Sequence, residues 1–313
     1  MLVFSILVIS VVIPLYMLYW VSNGRTKNKS QMVIKTLGSG LVILALYLFN
    51  NWAFVGYYLR YLLPVLFVVA VIYGWMRVWN QPWRSRLDIG QWGTVFGGIF
   101  LMTISGLLLV NIMGSRIVPD HPVELEFPFQ QGIFFMAQAG SSPALNGHMA
   151  VQSEPELRGQ TWALDILQLN RFGYRASGIY PEDPQQYVIF NTSVYAPCNG
   201  VVRSIENNLP DLHPPERDQE NLAGNYLEIE CEHGFIVVLA HLKQESILVE
   251  TGESVSINTR LGLTGNSGNT SEPHLHIHAQ AKSESKGLLD ADPLPILFRN
   301  HGWLVRNDIV RLP

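Results

Sequence analysis

Residues 265–278 read GNSGNTSEPHLHIH, and this stretch places three of the nine histidines of the chain, His274, His276 and His278, at alternating positions. In a β-strand successive side chains point to opposite faces, so these three imidazoles are expected to share one face of a sheet. The Gly-, Asn- and Ser-rich turn before them lets backbone pack close to that face. Neutral imidazoles grouped in this way suit a first-row metal such as zinc, whereas the simpler interpretation is a polar sheet face with solvated histidines.

Further motifs lie upstream of this stretch in a fixed order. They are WALDI at 162–166, LAHL at 239–242, and two Gly-punctuated turns, VETGESV at 249–255 and LGLTGNSG at 261–268. Together with PHLH at 273–276, they resemble the peptidase M23 family, also called the lysostaphin or LytM type. Its members are zinc metallopeptidases that cut peptide bonds in peptidoglycan. The resemblance covers about residues 145–282, and the ordered set is more specific than any single piece.

The resemblance implies roles for four residues. It identifies Asp165 and His276 as zinc ligands, and His241 and His274 as the two non-ligand histidines that handle the metal-bound water and stabilise the charged intermediate. The implied cofactor is Zn²⁺, and the implied partner is a peptide substrate in peptidoglycan. Without the resemblance, Asp165 would be interpreted as a turn or strand-end residue.

The first metal-binding motif departs from the usual family pattern, His-x-x-x-Asp. Thr161 stands four residues before Asp165 and is a poor zinc ligand, whereas a hydrolytic zinc site usually has three protein ligands. The segments NGH at 146–148 and QTWALD at 160–165 resemble a variant of the family in which a folded-back loop supplies the missing ligand. That resemblance implies His148 as the third metal ligand.

Two alternatives stay open from the sequence. His278 faces the same way as His276 and is a second candidate for the third ligand. If neither completes the site, the domain is a catalytically degenerate M23-type domain that binds peptide or a partner hydrolase and regulates it. The presence of the full set favours an enzyme, because a domain freed from catalysis has no chemical need of His241, His274, His276 and Asp165 together.

Charge divides the chain into two sections. No Asp or Glu occurs before Asp88, whereas residues 116–313 carry 24 acidic residues against 13 Lys and Arg, a net charge of −11. An acidic domain of this kind should repel nucleic acid, which excludes that class of partner. The pattern predicts a membrane-embedded section followed by a water-soluble acidic domain.

Four uncharged stretches in the first section predict four transmembrane helices, at residues 1–24, 36–59, 61–76 and 89–115. The first is too long for the core of a signal peptide. The third has only 16 uncharged residues, but Arg60 and Arg77 at its ends can snorkel to the interface. A four-span transporter or channel is disfavoured, because these stretches carry no charge in mid-membrane, where ion pathways need it.

The basic residues of the loops predict the orientation. They fall between the first two spans and between the last two, at Arg25, Lys27, Lys29, Lys35, Arg77, Arg84 and Arg86, while the loop after the second span offers only Arg60. The positive-inside rule places the two basic loops in the cytoplasm and both chain ends outside. The predicted location is the cytoplasmic membrane, with the C-terminal domain periplasmic or extracellular.

The predicted domains are a four-span anchor at 1–113, a stalk and the first strands at 114–144, and the peptidase-type domain at 145–313. Short runs of β-forming residues, as at 187–190 and 235–239, alternate with Gly, Asn and Pro, which predicts a mainly antiparallel β domain. This is also the LytM/lysostaphin-like fold that the resemblance implies.

Two smaller features belong to the same domain. Residues 206–224 are rich in Pro and acids, which predicts an inserted loop between two strands. Cys198 and Cys231 are the only cysteines. Their predicted extracytoplasmic location permits a disulfide, and two buried free thiols are the alternative.

Overall fold

The computed structural model describes residues 2–23, 26–283 and 286–313. Arg25, which enters the orientation argument above, lies outside the described residues. The chain divides into two compact units, Met1–Met113 and Gly114–Pro313. The finer domain boundaries given above stay predictions.

The first unit is α-helical. Its long helices among the described residues are α1 (Val3–Ser22), α2 (Lys29–Phe49), α3 (Leu59–Val78) and α4 (Ile89–Gly114). The mean hydropathy of their most apolar windows lies between 1.9 and 2.2, so each helix is long and apolar enough to cross a membrane. The predicted section of four apolar helices is therefore confirmed.

The third helix is longer than its uncharged stretch. α3 contains 20 residues because it continues through Arg60 and Arg77 near its two ends. Arg60 is buried, and its guanidinium carbon lies 4.2 Å from the ring centroid of Tyr47 and 5.3 Å from that of Tyr57. Cation–π contacts of this kind stabilise a charge that is removed from water. The helix therefore carries near its start a charge that is enclosed by aromatic rings.

The second unit is built from short β-strands. They are β1 (Val123–Leu125), β2 (Gly132–Gln138), β3 (Leu164–Leu169), β4 (Ser193–Tyr195), β5 (Gly200–Glu206), β6 (Asn225–Cys231), β7 (Phe235–Leu242), β8 (Ser254–Val255), β9 (Arg260–Leu263), β10 (Leu275–Ala281), β11 (Pro293–Leu294), β12 (Ile296–Phe298) and β13 (Ile309–Leu312).

The main sheet has the order β13-β2-β3-β10-β7-β6-β5-β8, with β11 paired to β10, and its pairings are antiparallel. Two small sheets accompany it, an antiparallel β4–β9 pair and a parallel β1–β12 pair. The prediction of a mainly antiparallel β domain is confirmed. Because β10 lies between β3 and β7, residues far apart in sequence meet at the centre of the sheet.

The central strands use their two faces differently. Leu275 and Ile277 of β10 pack into the main hydrophobic core, together with Leu164 and Ile166 of β3. Since side chains alternate between the two faces of a strand, the even-numbered residues of β10, beginning with His276, occupy the opposite face. That face carries the polar cluster described below.

The segment between β5 and β6 is fastened to the turn that precedes β10. The backbone N–H of Asn266 donates to Asp211 Oδ1 at 2.6 Å, and its side chain donates to the carbonyl of Leu212 at 2.7 Å. The N–H of Asp218 donates to the carbonyl of Gly268 at 3.0 Å. The predicted insertion, residues 206–224, is thus held by hydrogen bonds beside the turn that precedes β10.

The two cysteines form a disulfide. Cys198 lies just before β5, Cys231 ends β6, and their Cα atoms are 5.8 Å apart. The alternative of two buried free thiols is therefore excluded in this structure.

Candidate metal centre

The register of three central strands places the first site residues. His276 of β10 pairs with Asp165 of β3 on one side and with Ala240 of β7 on the other. Neighbouring strands lie about 4.8 Å apart, so the side chain of His276 lies beside that of Asp165 and next to the end of β7, where His241 follows Ala240. The sheet thus brings three of the sequence-predicted site residues together.

His148 reaches the same place from a short 3₁₀ turn, Gly147–Val151. The side chain of Asn146 accepts a hydrogen bond from the His148 N–H at 3.1 Å, which caps the turn. The same side chain donates to the carbonyls of Gly140 and Ala163, both at 3.1 Å. Asn146 is fully buried, so it pins the turn against the start of β3.

A second set of contacts holds this turn from the side. The N–H of Gly147 donates to Gln138 Oε1 at 2.9 Å, and the guanidinium of Arg306 donates to the same oxygen at 2.7 Å. Arg306 also donates to the carbonyls of Ala137 at 2.9 Å and Ala144 at 3.3 Å. A residue near the end of the chain therefore braces the turn that carries His148.

Three histidine nitrogens converge on one carboxylate oxygen. Asp165 Oδ1 lies 3.0 Å from His148 Nε2, 3.1 Å from His276 Nδ1 and 3.4 Å from His274 Nε2. Burial would raise the pKa of Asp165, but the adjacent imidazoles of His148 and His274 hold that pKa well below its usual range. Asp165 is therefore an anionic centre among imidazoles.

The donor set fits a zinc ion. One ligand atom from each of His148, Asp165 and His276 lies within 4.8 Å of the others. Two ligand atoms on a tetrahedral zinc, each 2.0–2.1 Å from the ion, are about 3.3 Å apart. Two imidazoles and a carboxylate are also the ligand types of a catalytic zinc. A second set within the same limit is formed by His241, His274 and His276.

His241 and His274 are oriented by backbone carbonyls. The Nδ1 atom of His241 lies 2.9 Å from the carbonyl oxygen of Ser267, and that of His274 lies 2.9 Å from the carbonyl oxygen of Glu272. Because a carbonyl only accepts, each Nδ1 carries a proton. This leaves Nε2 of His241 available, whereas Nε2 of His274 faces the Asp165 carboxylate at 3.4 Å. The backbone of His241 is in the left-handed region, with φ of 61°, in the conformation that makes this contact.

The buried imidazoles differ in proton affinity. Burial lowers the pKa of His276 to about 4 and lowers the pKa of His241 and of His278 well below the ordinary value. Burial also opposes protonation of His274, but the Asp165 carboxylate outweighs it and raises the pKa of His274. At neutral pH the first three are neutral, the form that binds a metal or accepts a proton.

The cluster lines a cleft of about 390 Å³. His148, Asp165, His241, His274 and His276 all line it, so every sequence-predicted site residue faces the same space. The inserted segment supplies part of the opposite wall through Arg217 and Leu222.

His278 and Thr161 both lie outside the convergent donor sets that the described part of the chain forms. His278 lies behind His276, with His278 Nδ1 3.1 Å from His276 Nε2, and it belongs to neither of the convergent donor sets among the described residues. Thr161 is buried, and its hydroxyl donates to the carbonyl of Arg158 at 2.6 Å. The sequence reasoning missed Gln138 and Arg306, and no motif around either residue signals its contact with the His148 turn.

A known protein family matches within the second unit. Residues 187–287 match the family model described as Peptidase family M23. Over 85 residues the chain is 39% identical to the peptidoglycan DD-endopeptidase ShyA of Vibrio cholerae serotype O1, which covers 27% of this chain and 16% of that protein. Over 54 residues it is 43% identical to an uncharacterized metalloprotease of Buchnera aphidicola subsp. Baizongia pistaciae, which covers 17% and 14% of the two chains.

Among solved structures, pseudoalterin, described as a novel M23 metalloprotease from the deep sea, is 17% identical. The match covers 51% of this chain and 71% of that one, with a TM-score of 0.30. The chain thus spans only about a seventh of the length of the curated relatives. The matched residues 187–287 include His241, His274 and His276, whereas His148 and Asp165 precede them.

Proposed function

We propose, from the premise that this chain carries a peptidase family M23 domain, that the protein is a membrane-anchored zinc endopeptidase that hydrolyses peptide bonds in peptidoglycan. One observation carries the proposal. His148 Nε2 and His276 Nδ1, from a turn and a strand distant in sequence, meet within 3.0 and 3.1 Å of the same Asp165 oxygen on the wall of a cleft.

The roles of the residues follow from this geometry. His148 Nε2, Asp165 Oδ1 and His276 Nδ1 would hold the ion. Bound zinc supplies a Lewis acid that polarises a peptide carbonyl and lowers the pKa of a water molecule. His241 offers its Nε2 atom beside this centre, because its Nδ1 atom is held by the carbonyl of Ser267. His274 is held in the same way by the carbonyl of Glu272, and its Nε2 atom lies 3.4 Å from Asp165 Oδ1, so it would act through a proton that it donates.

A neutral imidazole can take a proton from the attacking water, and the resulting N–H can donate a hydrogen bond to the oxyanion that develops on the substrate. Two rings whose orientation is already fixed can divide these tasks without reorganising during the reaction. The ring centroids of His241 and His274 are 4.8 Å apart, so both can address the same peptide group.

The substrate class rests on similarity. The Vibrio cholerae relative is named a peptidoglycan DD-endopeptidase, and the resemblance of the sequence motifs implies the same substrate class, which supports a peptide bond in that polymer. An extracytoplasmic location would give the domain access to it. The Cys198–Cys231 disulfide supports that location, because disulfides persist in oxidising compartments.

Metal dependence and bond specificity can be tested together on the full-length protein in detergent. Zinc content is measured after purification, then the protein is stripped with a chelator and restored with zinc before incubation with purified peptidoglycan sacculi. We expect zinc-dependent release of soluble fragments, with new peptide termini detected by mass spectrometry and no new reducing sugar ends. Zinc-loaded protein that binds sacculi but releases nothing would favour the regulatory alternative.

The proposed orientation gives a separate prediction. A reporter that is active only in the cytoplasm should work when fused after Lys29 or Arg86, because the positive-inside rule retains those loops. The same reporter should fail after Pro313. Matched expression of the three fusions, checked by immunoblot, is the control, and reporter activity at Pro313 would contradict an extracytoplasmic peptidase domain.

A further inference from the structure

His278 is a buried imidazole that the proposed reaction does not use. It is 1% exposed and lies on the same face of β10 as His276, two residues further along the strand. Its Nδ1 atom is 3.1 Å from His276 Nε2, and its Nε2 atom is 3.2 Å from the carbonyl oxygen of Leu288. The two imidazoles and the carbonyl form a continuous chain that leads away from the cleft.

The direction of the hydrogen bonds in this chain is fixed at its far end. A carbonyl oxygen only accepts, so His278 Nε2 must carry a proton to reach Leu288. The buried ring of His278 contacts an imidazole and a carbonyl rather than a carboxylate, so it is neutral and has one N–H. This leaves His278 Nδ1 as an acceptor. His276 Nε2 must then donate to it, and the Nδ1 atom of His276 keeps its lone pair.

That lone pair belongs to the atom that faces the candidate metal centre. His276 Nδ1 is the nitrogen that lies 3.1 Å from Asp165 Oδ1, on the opposite edge of the ring from His278. We propose that His278 is a positioning residue, which fixes His276 as the Nε2–H tautomer and holds its ring so that Nδ1 is presented to the metal. The inference rests on the proposed role of His276 as a ligand.

Metal-binding histidines commonly donate their second N–H to a carboxylate, a backbone carbonyl or water, and loss of that partner typically lowers metal affinity by about 10–100-fold. In this chain the imidazole of His278 accepts that N–H. His278 is itself held by its hydrogen bond to the backbone carbonyl of Leu288. A second imidazole is stiffer than water and carries no charge of its own, so it orients His276 without competing with Asp165 for the metal.

The test compares three variants of the full-length protein in detergent. His278→Leu removes the acceptor, while His278→Asn is smaller than histidine but can place its Oδ1 atom near the position of Nδ1. Gln280→Leu is the matched control. Gln280 is buried on the same strand face, and its side chain donates to the carbonyl of Gly287 at 3.0 Å, next to Leu288. Zinc affinity is measured by competition with a chelator.

We expect zinc affinity to fall by about 10–100-fold in His278→Leu, and to remain near that of the wild type in His278→Asn and Gln280→Leu. In metal-free protein labelled at histidine, the ¹⁵N shifts of His276 should report the Nε2–H tautomer in the wild type and a mixture of tautomers in His278→Leu.

Equal losses in the Leu and Asn variants would assign His278 a packing role and overturn the proposal, as would unchanged affinity in His278→Leu. Loss of zinc affinity in Gln280→Leu to the same extent would show a general effect of this strand face and would also overturn it. If the wild type itself binds no zinc, the proposed function fails. The tautomer measurement on metal-free protein then still tests the hydrogen-bond chain by itself.

Discussion

The two histidines proposed as ligands of the candidate metal centre are held in different ways. His276 lies on β10 in the middle of the sheet, inside the family match, and its side chain is 5% exposed. His148 lies on a 3₁₀ turn outside that match, and its side chain is 20% exposed. Asp165 Oδ1 stands within 3.1 Å of both. The strand side and the turn side therefore meet at one carboxylate.

The difference shows two ways of fixing a ligand. On the strand side, which is His276 with its neighbours on β10, backbone pairing to β3 and β7 fixes the position of the residue. The buried imidazole of His278 fixes the orientation of its ring. On the turn side no ladder is present at His148, and the position depends on side chains from elsewhere in the chain, chiefly Asn146, Gln138 and Arg306. A strand ligand can be recognised from a short local motif, whereas a turn ligand depends on distant residues.

The largest expected effect comes from removing a ligand on either side. His148→Ala and His276→Ala should each abolish zinc binding and turnover, because a hydrolytic zinc site requires three protein ligands. Zinc content by metal analysis and release of fragments from sacculi are the measurements. If His148→Ala retained zinc, the set formed by His241, His274 and His276 would be the better metal site, and the turn would have another role.

A smaller effect is expected from His241, which lies next to the strand side without belonging to the proposed ligand set. His241→Ala should retain zinc while turnover falls by about 10²–10³-fold, since general acid–base help and oxyanion stabilisation are each of that order. His213→Ala is a suitable control, because His213 is exposed on the inserted segment and lies outside the cleft lining. An empty metal site in His241→Ala would place that residue among the ligands.

The sequence predicted the strand side almost completely. Alternation within PHLHIH puts His276 and His278 on one face, and the apolar partners Leu275 and Ile277 lie in the core as that period requires. The sequence could not show that His278 lies behind His276 rather than at the cleft, because both residues are on the same face of the strand. The position of His278 depends on the backbone carbonyl of Leu288, ten residues later in the chain, which packs against this strand.

The turn side was predicted in part. The motif NGH directed attention to His148 because it resembles an element of the family variant. The structure adds what holds the turn in place: the side chain of Asn146 caps it and ties it to Ala163. Arg306 lies 168 residues from Gln138 and carries no motif, so only the pairing of β13 with β2 brings the two together.

The smallest expected effect comes from removing the hydrogen bonds that Gln138 makes to Gly147 and Arg306. Gln138→Met keeps the length of the side chain but removes the oxygen that accepts from Gly147 and Arg306. We expect zinc affinity to fall by about 10-fold, at the low end for residues that support a ligand indirectly. The free energy of unfolding should also fall by about 1–3 kcal/mol, because two polar partners lose their acceptor.

Gln168→Met separates these two effects. Gln168 lies on β3, and its Oε1 accepts a hydrogen bond from the hydroxyl of Thr192 at 2.7 Å, away from the cleft. This variant should lose about 0.5–1.5 kcal/mol of stability, measured by denaturant unfolding, because one neutral hydrogen bond is lost, and none of its zinc affinity. If the two variants bound zinc equally tightly, Asn146 alone would suffice to hold the turn, and the two sides of the site would differ less than their contacts indicate.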